Sequence, residues 1–311
     1  MTPFETIQSA VQSLNWDKTP QGLYEPIDYA LSSGGKRLRP ALVIMASDMF
    51  GGNREKALPA ALALEIFHNF TLLHDDVMDH AATRRGRPTV HKQFGTNAAI
   101  LSGDQMLIEA YAQLEAIETD KLPQVIHWFS QMATQICEGQ QLDVDFEQKT
   151  DVTIDDYLYM IRLKTSVLLA NALRTGAYLA NATTQQQDLL YKFGVNIGIA
   201  FQLQDDLLDV YGNPDTFGKK IGGDIMEGKK TFLYLTAHAQ NNNLLEKALK
   251  EKDKIHAVTQ VYNQLDVRQT TEKEIVNFTN KALQCLDNIQ VSDNLKQPLR
   301  DIAFKLTKRN D

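Results

Sequence analysis

Helical periodicity constrains this chain more than any other feature of its sequence. Apolar residues recur at three- and four-residue steps through AALALEIFHNFTLLHDDVMD, DQMLIEAYAQLEAI, VIHWFSQMATQICEGQQLDVDF, TIDDYLYMIRLKTSVLLANALRTGAYLA and LLYKFGVNIGIAFQLQDDLLDVY. That spacing belongs to helices that bury one face or all of their surface. Alternating segments joined by Asn-Gly or Asp-Gly turns are absent, so strands are not expected to carry the fold. Thr2, Pro3 and Glu5 read as a helix start: a Thr cap, Pro at the first position and Glu at the third. Breaks fall at Ser33-Gly34-Gly35, Gly51-Gly52-Asn53, Arg85-Gly86-Arg87-Pro88, Gly212-Asn213-Pro214 and Gly222-Gly223. No low-complexity linker divides the chain. The pattern predicts one all-α domain over residues 1–311, with roughly ten or more helices and several buried nearly all round.

Two short acidic runs end apolar helices. DDVMD covers Asp75 to Asp79, and DDLLD covers Asp205 to Asp209, about 130 residues on. Residues four apart on an α-helix differ by about 40° around the axis, so Asp75 and Asp79 share a face, as do Asp205 and Asp209. Carboxylates emerging from a core helix need counter-charge, because an unpaired buried charge is costly. Oxygen-only donors select hard cations, and Mg²⁺ typically takes one or two carboxylates and completes its shell with water and phosphate oxygens. Basic residues follow in the sequence: Lys36 and Arg39 behind Gly34-Gly35, then Arg84 and Arg85, then Lys219, Lys229 and Lys230. His68 lies two helical turns before Asp75 on nearly the same face. Two acidic stations and these cations suit a diphosphate clamped through Mg²⁺.

Composition narrows the class further. With 43% hydrophobic and 23% charged residues the chain has material for a core. A net charge of −7 argues against nucleic acid as the main partner. Cys137 and Cys285 match no metal-ligand spacing and read as reduced thiols. The sequence shows neither a secretory signal nor an apolar run long enough to span a membrane, so a cytoplasmic enzyme without a transmembrane segment is expected.

The motifs together resemble those of the trans-prenyl diphosphate synthases, of the short-chain farnesyl and geranylgeranyl type. The resemblance covers nearly the whole chain: GGKRLRP at 34–40, the ExxH ending at His68, HDDVMD with RRGRPTVH behind it, EGQQLD at 138–143, KTS at 164–166, FQLQDDLLD at 201–209 and GKKIGGDIMEGKKT at 218–231. It implies the isoprenoid synthase fold, a helical bundle around a central cavity with the two Asp motifs facing across it. It also implies about three Mg²⁺ ions bridging to the allylic diphosphate, with Asp75, Asp79 and Asp205 as ligands and Asp209 as a further acidic position. Asp76, Asp206 and Asp224 match outer-shell positions. Arg84, Lys164, Thr165, Gln202, Lys219 and Lys229 match the allylic diphosphate site, and Lys36, Arg39, His68 and Arg85 the isopentenyl diphosphate site. Thr165 and Gln202 match groups near the reacting carbon. A homodimer is the implied assembly.

The implied reaction is head-to-tail condensation of isopentenyl diphosphate with C5, C10 or C15 allylic diphosphates. In the family, bulky residues four and five positions before the first Asp floor the product well; here they are Thr71 and Phe70. One aromatic and no insertion in DDVMD resemble enzymes making C20 or C15 products, not C30 and longer. A class I terpene cyclase would lack GGKRLRP and DDLLD, an HD-type phosphohydrolase would need another upstream metal-binding His, and a non-catalytic subunit would tend to lose the acidic motifs.

Overall fold

The computed structural model describes residues 1–213 and 221–307, and they divide into two compact units: Met1–Ser130 with Ala172–Gln187, and Gln131–Asn171 with Asp188–Asp311. The first unit contains α1 (Pro3–Gln12), α2 (Gln21–Ser32), α3 (Leu38–Met49), α4 (Arg54–Met78), a hairpin of β1 (Thr83–Arg84) and β2 (Arg87–Pro88), α5 (Val90–Phe94) and α6 (Thr96–Leu114). Helices α7 (Leu122–Gln148), α9 (Val167–Leu179) and α10 (Thr184–Tyr211) contribute residues to both units. The second unit contains α8 (Ile154–Ile161), a π-turn at Arg162–Ser166, α11 (Gly223–Glu227), α12 (Phe232–Ala248), α13 (Lys254–Gln264), α14 (Val267–Asp287) and α15 (Asp293–Thr307). The fold is all-α, as the periodicity requires.

The first helix starts where the sequence places it. The Thr2 hydroxyl accepts from the Glu5 N–H at 3.2 Å, and the Glu5 carboxylate accepts from the Thr2 N–H at 2.7 Å, a capping box closed from both sides. In α4 the Asn53 side chain caps the start, accepting from the Glu55 N–H at 2.8 Å. Residues Ala60 through Phe67 of α4 are all buried, and the helix packs on α3 and α6. Alanines at 60, 61 and 63 let the neighbours approach, while Leu62, Leu64, Ile66 and Phe67 fill the space between. Near its end, His74 sits on Gly103 of α6, where an added Cβ would lie 2.3 Å from His74 Nε2. The long apolar helix thus carries Asp75 out of a rigid core.

The small hairpin was not anticipated from sequence. Its register pairs Thr83 with Pro88 and Arg84 with Arg87, leaving Arg85-Gly86 as a two-residue turn with φ of 53° and 75°. Positive φ at both positions is the geometry that usually selects Asn-Gly. Here an arginine adopts it. The Tyr29 hydroxyl pins the hairpin to α2 by donating to the Pro88 carbonyl at 2.9 Å, and the Arg87 guanidinium stacks 4.0 Å over the Tyr29 ring.

In the second unit, one apolar cluster joins Tyr157 and Met160 of α8, Leu203, Leu207 and Val210 of α10, Phe232 and Leu233 of α12, and Val258 and Tyr262 of α13. The π-turn is held between two glycines. A Cβ on Gly139 of α7 would lie 2.4 Å from the Lys164 backbone nitrogen, and one on Gly198 of α10 would lie 2.6 Å from Ser166 Cα. Among the described residues no helix is long and apolar enough to cross a membrane.

Candidate active site

The first acidic station forms where α4 ends. Asp79 is the C-cap, its N–H bonded to the Asp75 carbonyl at 2.9 Å. Asp75 is half-buried, Asp76 buried and Asp79 exposed. Arg84, delivered by the hairpin, donates from Nε to Asp76 Oδ1 at 2.8 Å and from Nη2 to Asp75 Oδ2 at 3.4 Å. Burial pushes the Asp76 carboxyl up to about 6, and the Arg84 charge opposes that shift without cancelling it. Asp76 therefore serves as the inner anchor for Arg84.

The groups predicted to meet isopentenyl diphosphate come from four places: Lys36 from the loop before α3, Arg39 from the first turn of α3, His68 from α4 and Arg85 from the hairpin turn. Arg39 Nη1 lies 3.1 Å from His68 Nε2. Arginine only donates, so that nitrogen accepts and the His68 proton sits on Nδ1. Burial drives the His68 pKa well below its ordinary value, and the nearby positive charges of Arg39, Arg85, Arg84 and Arg37 add to the shift. His68 is consequently neutral. Arg85 donates from Nη1 to the Gly34 carbonyl, and its guanidinium occupies the space a Cβ on Gly35 would take, with Cζ 2.8 Å from that position. The glycine pair serves close approach as well as its φ values of 76° and 126°. Lys36 is exposed on the same loop. Arg84, Arg85, Asn69, Asp76 and Tyr29 line a cavity of about 30 Å³ beneath the hairpin.

The second station shares with the first a half-buried first Asp and a buried second one, but its last carboxylate, Asp209, is buried where Asp79 is exposed. Asp205 is half-buried, while the following Asp206 is buried. Asp206 is held by the Tyr157 hydroxyl at Oδ2 and by Gln202 Nε2 at Oδ1, 3.0 Å away. Burial raises the Asp206 pKa well above the usual carboxylate range, Asp224 raises it further, and the two hydrogen bonds oppose the rise. The Thr165 hydroxyl donates to Gln202 Oε1 at 3.1 Å, so two residues expected near the reacting carbon are joined. Lys164, one residue earlier on the π-turn, donates to Asp143 Oδ2 at 2.6 Å. Asp209 turns toward α11, where its Oδ2 accepts from the Asp224 N–H at 3.1 Å. Lys229 pairs with Glu227 at 3.1 Å. Lys230 caps the end of α7 instead, donating to the Phe146 carbonyl and to that of Glu147 at 3.2 Å. Lys219 lies outside the described residues.

Among the described residues no group of three or more His, Cys, Asp and Glu side chains is gathered to hold a metal ion. The donors at each station are nonetheless oxygen-only and few, which fits Mg²⁺ with much of its shell supplied by water and phosphate. Phe70 and Thr71, the predicted floor residues, are half-buried. The Phe70 ring packs tilted against Phe67 and edge-on against His74, with centroids 5.4 and 4.9 Å away, and the Thr71 hydroxyl donates to the His68 carbonyl at 2.8 Å. Sequence reasoning did not single out Tyr157, Asp143, Arg37, Glu65 or Asn69. EGQQLD and GGKRLRP contain Asp143 and Arg37, but only tertiary contacts reveal what they bond.

Known proteins match this chain over most of its length. The polyprenyl synthetase family matches residues 20–265. A geranylgeranyl diphosphate synthase of Methanosarcina mazei is 42% identical over 233 residues, 74% of this chain and 72% of that protein. A geranylfarnesyl diphosphate synthase of Natronomonas pharaonis is 32% identical over 328 residues, 98% of this chain and 95% of its own. A crystal structure of a geranylgeranyl pyrophosphate synthase is similar with a TM-score of 0.92 at 43% identity, covering 100% of this chain and 97% of that one. With its helices, acidic stations and basic loop in the family's order, the chain belongs to the polyprenyl synthetase family.

Proposed function

We propose that this protein is a short-chain trans-prenyl diphosphate synthase that condenses isopentenyl diphosphate with an allylic diphosphate to give a C20 or C15 product. The observation that carries the reading is the repeated internal layout of the two acidic stations. In each, the second Asp is buried and bonded by protein donors, while the first stands half-buried at the helix surface. Relatives of 42% and 34% identity carrying the name geranylgeranyl diphosphate or pyrophosphate synthase support the substrate class.

Asp75, Asp79 and Asp205 would hold Mg²⁺, with Asp209 as a further carboxylate. Bound there, about three ions would neutralise charge developing on the departing diphosphate. Arg84, Lys164 and Lys229 add fixed positive charge to the same leaving group. Breaking the C–O bond leaves an allylic cation and diphosphate. Thr165 donates its hydroxyl proton to Gln202 Oε1, and Gln202 donates its amide to Asp206, so both oxygens keep lone pairs that would face the passing cation. Such dipoles stabilise a delocalised cation without trapping it. Lys36, Arg39, His68 and Arg85 orient isopentenyl diphosphate, whose double bond attacks the cation. The proton then lost goes to an oxygen of the released diphosphate.

Homodimeric action in the cytoplasm belongs to the same reading. Leu101 and Ile108, seven residues apart on α6, remain 59% and 61% exposed, and a second copy would cover them. Incubation with Mg²⁺, isopentenyl diphosphate and each of the C5, C10 and C15 allylic diphosphates tests the proposal. It predicts Mg²⁺-dependent formation of C20 or C15 prenyl diphosphate. Hydrolysis without elongation, or products of C30 and longer, would overturn it.

A further inference from the structure

Two charged residues in the first unit's motifs have no part in the reaction above. Arg37 lies inside GGKRLRP, and Glu65 opens the ExxH stretch of α4. They are 6% and 2% exposed, so neither faces a substrate directly. Arg37 donates from Nη1 to Glu65 Oε1 and from Nη2 to the Leu31 carbonyl near the end of α2. Asn69, one turn along α4, donates from Nδ2 to the Glu65 carbonyl at 2.8 Å and to Glu65 Oε1 at 3.0 Å.

Stability alone is a poor reason for this pair, because apolar replacements often serve a core as well as a buried ion pair does. The backbone supplies a better one. Gly34, Gly35 and Arg37 have φ of 76°, 126° and 46°. The glycines adopt such values freely, whereas Arg37 does so only if its surroundings hold it. Its side chain is tied to α4 and to the end of α2, which fixes the turn. Lys36 is thereby left exposed just before the anchor, and Arg39 reaches His68 just after it. His68 follows Glu65 by three residues, so the anchor and the contact it sets lie on one face of α4. Glu65 also supplies negative charge amid Arg37, Arg84 and Arg85, where burial and like charge depress the Arg85 pKa and Glu65 counters them.

We propose that Glu65 is a positioning residue for isopentenyl diphosphate: through Arg37 it holds the loop at residues 34–37 and the start of α3 against α4, and it touches neither substrate. The inference rests on the substrate assignment made above. Its test is the split between the two substrates. In Glu65→Gln and Arg37→Met, KM for isopentenyl diphosphate rises about tenfold or more, while KM for the allylic diphosphate and kcat stay within about threefold. In Arg37→Met/Glu65→Gln the rise is smaller than the product of the single effects, as coupled residues require. Folded variants with unchanged KM for isopentenyl diphosphate, or with both KM values and kcat damaged alike, would overturn the proposal. Circular dichroism melting identifies any single variant that fails to fold. The double variant, which leaves no lone buried charge, then decides by the same KM. Wild-type protein without turnover refutes the assigned reaction; wild-type turnover with unshifted variants refutes the role of Glu65 alone.

Discussion

Phe70 is the residue proposed to limit product length. Its ring packs tilted against Phe67 and edge-on against His74, and Phe67 in turn packs edge-on against Phe129 with centroids 5.3 Å apart. A phenyl group held on two sides cannot swing aside for a longer hydrocarbon. Phe70→Ala is therefore expected to shift the product distribution to longer chains, read by chromatography of the dephosphorylated alcohols; an unchanged distribution removes Phe70 from this role. Tyr157 acts on stability. Tyr157→Phe deletes the donor to a buried carboxylate, and unfolding free energy should fall by about 1–3 kcal/mol in a denaturant titration. The acidic stations were legible in sequence because i, i+4 carboxylates on apolar helices leave a local pattern. Tyr157, Asp143 and Glu65 were not, because their partners Asp206, Lys164 and Arg37 lie 49, 21 and 28 residues away.

Among the elements, the π-turn at Arg162–Ser166 matters most, since it interrupts an otherwise continuous α-helical stretch at Lys164 and Thr165. Such turns widen a helix by one residue and are frequent at functional sites. Gly139 and Gly198 leave room for this one. Gly139→Ala would push a methyl group into the Lys164 backbone and is expected to destabilise the protein by about 1–3 kcal/mol. Activity should drop as well, because Lys164 and Thr165 move with that backbone; a variant with full stability and rate contradicts the close-approach role. The long helices were legible from their apolar spacing. The π-turn was not, since RLKTS continues the helical pattern. The hairpin escaped notice because Arg85-Gly86 lacks the Asn or Asp that usually marks its turn, and contact with the Gly34 carbonyl substitutes for that preference.

For the whole molecule, a net charge of −7 accompanies substrates that are themselves anions. The proposed binding cations would reconcile the two: Arg39, Arg84 and Arg85 in the first unit, and Lys164 and Lys229 in the second. The family's two acidic motifs are both present, and the account requires that both serve one reaction. Rates of Asp75→Ala and Asp205→Ala at saturating Mg²⁺ and substrates, with circular dichroism melting to confirm folding, test that requirement most directly. Each variant is predicted to stay folded and to lose kcat by on the order of 10²- to 10³-fold, the scale of deleting one preorganised electrostatic group. A folded variant of either kind with a near-normal rate would contradict it.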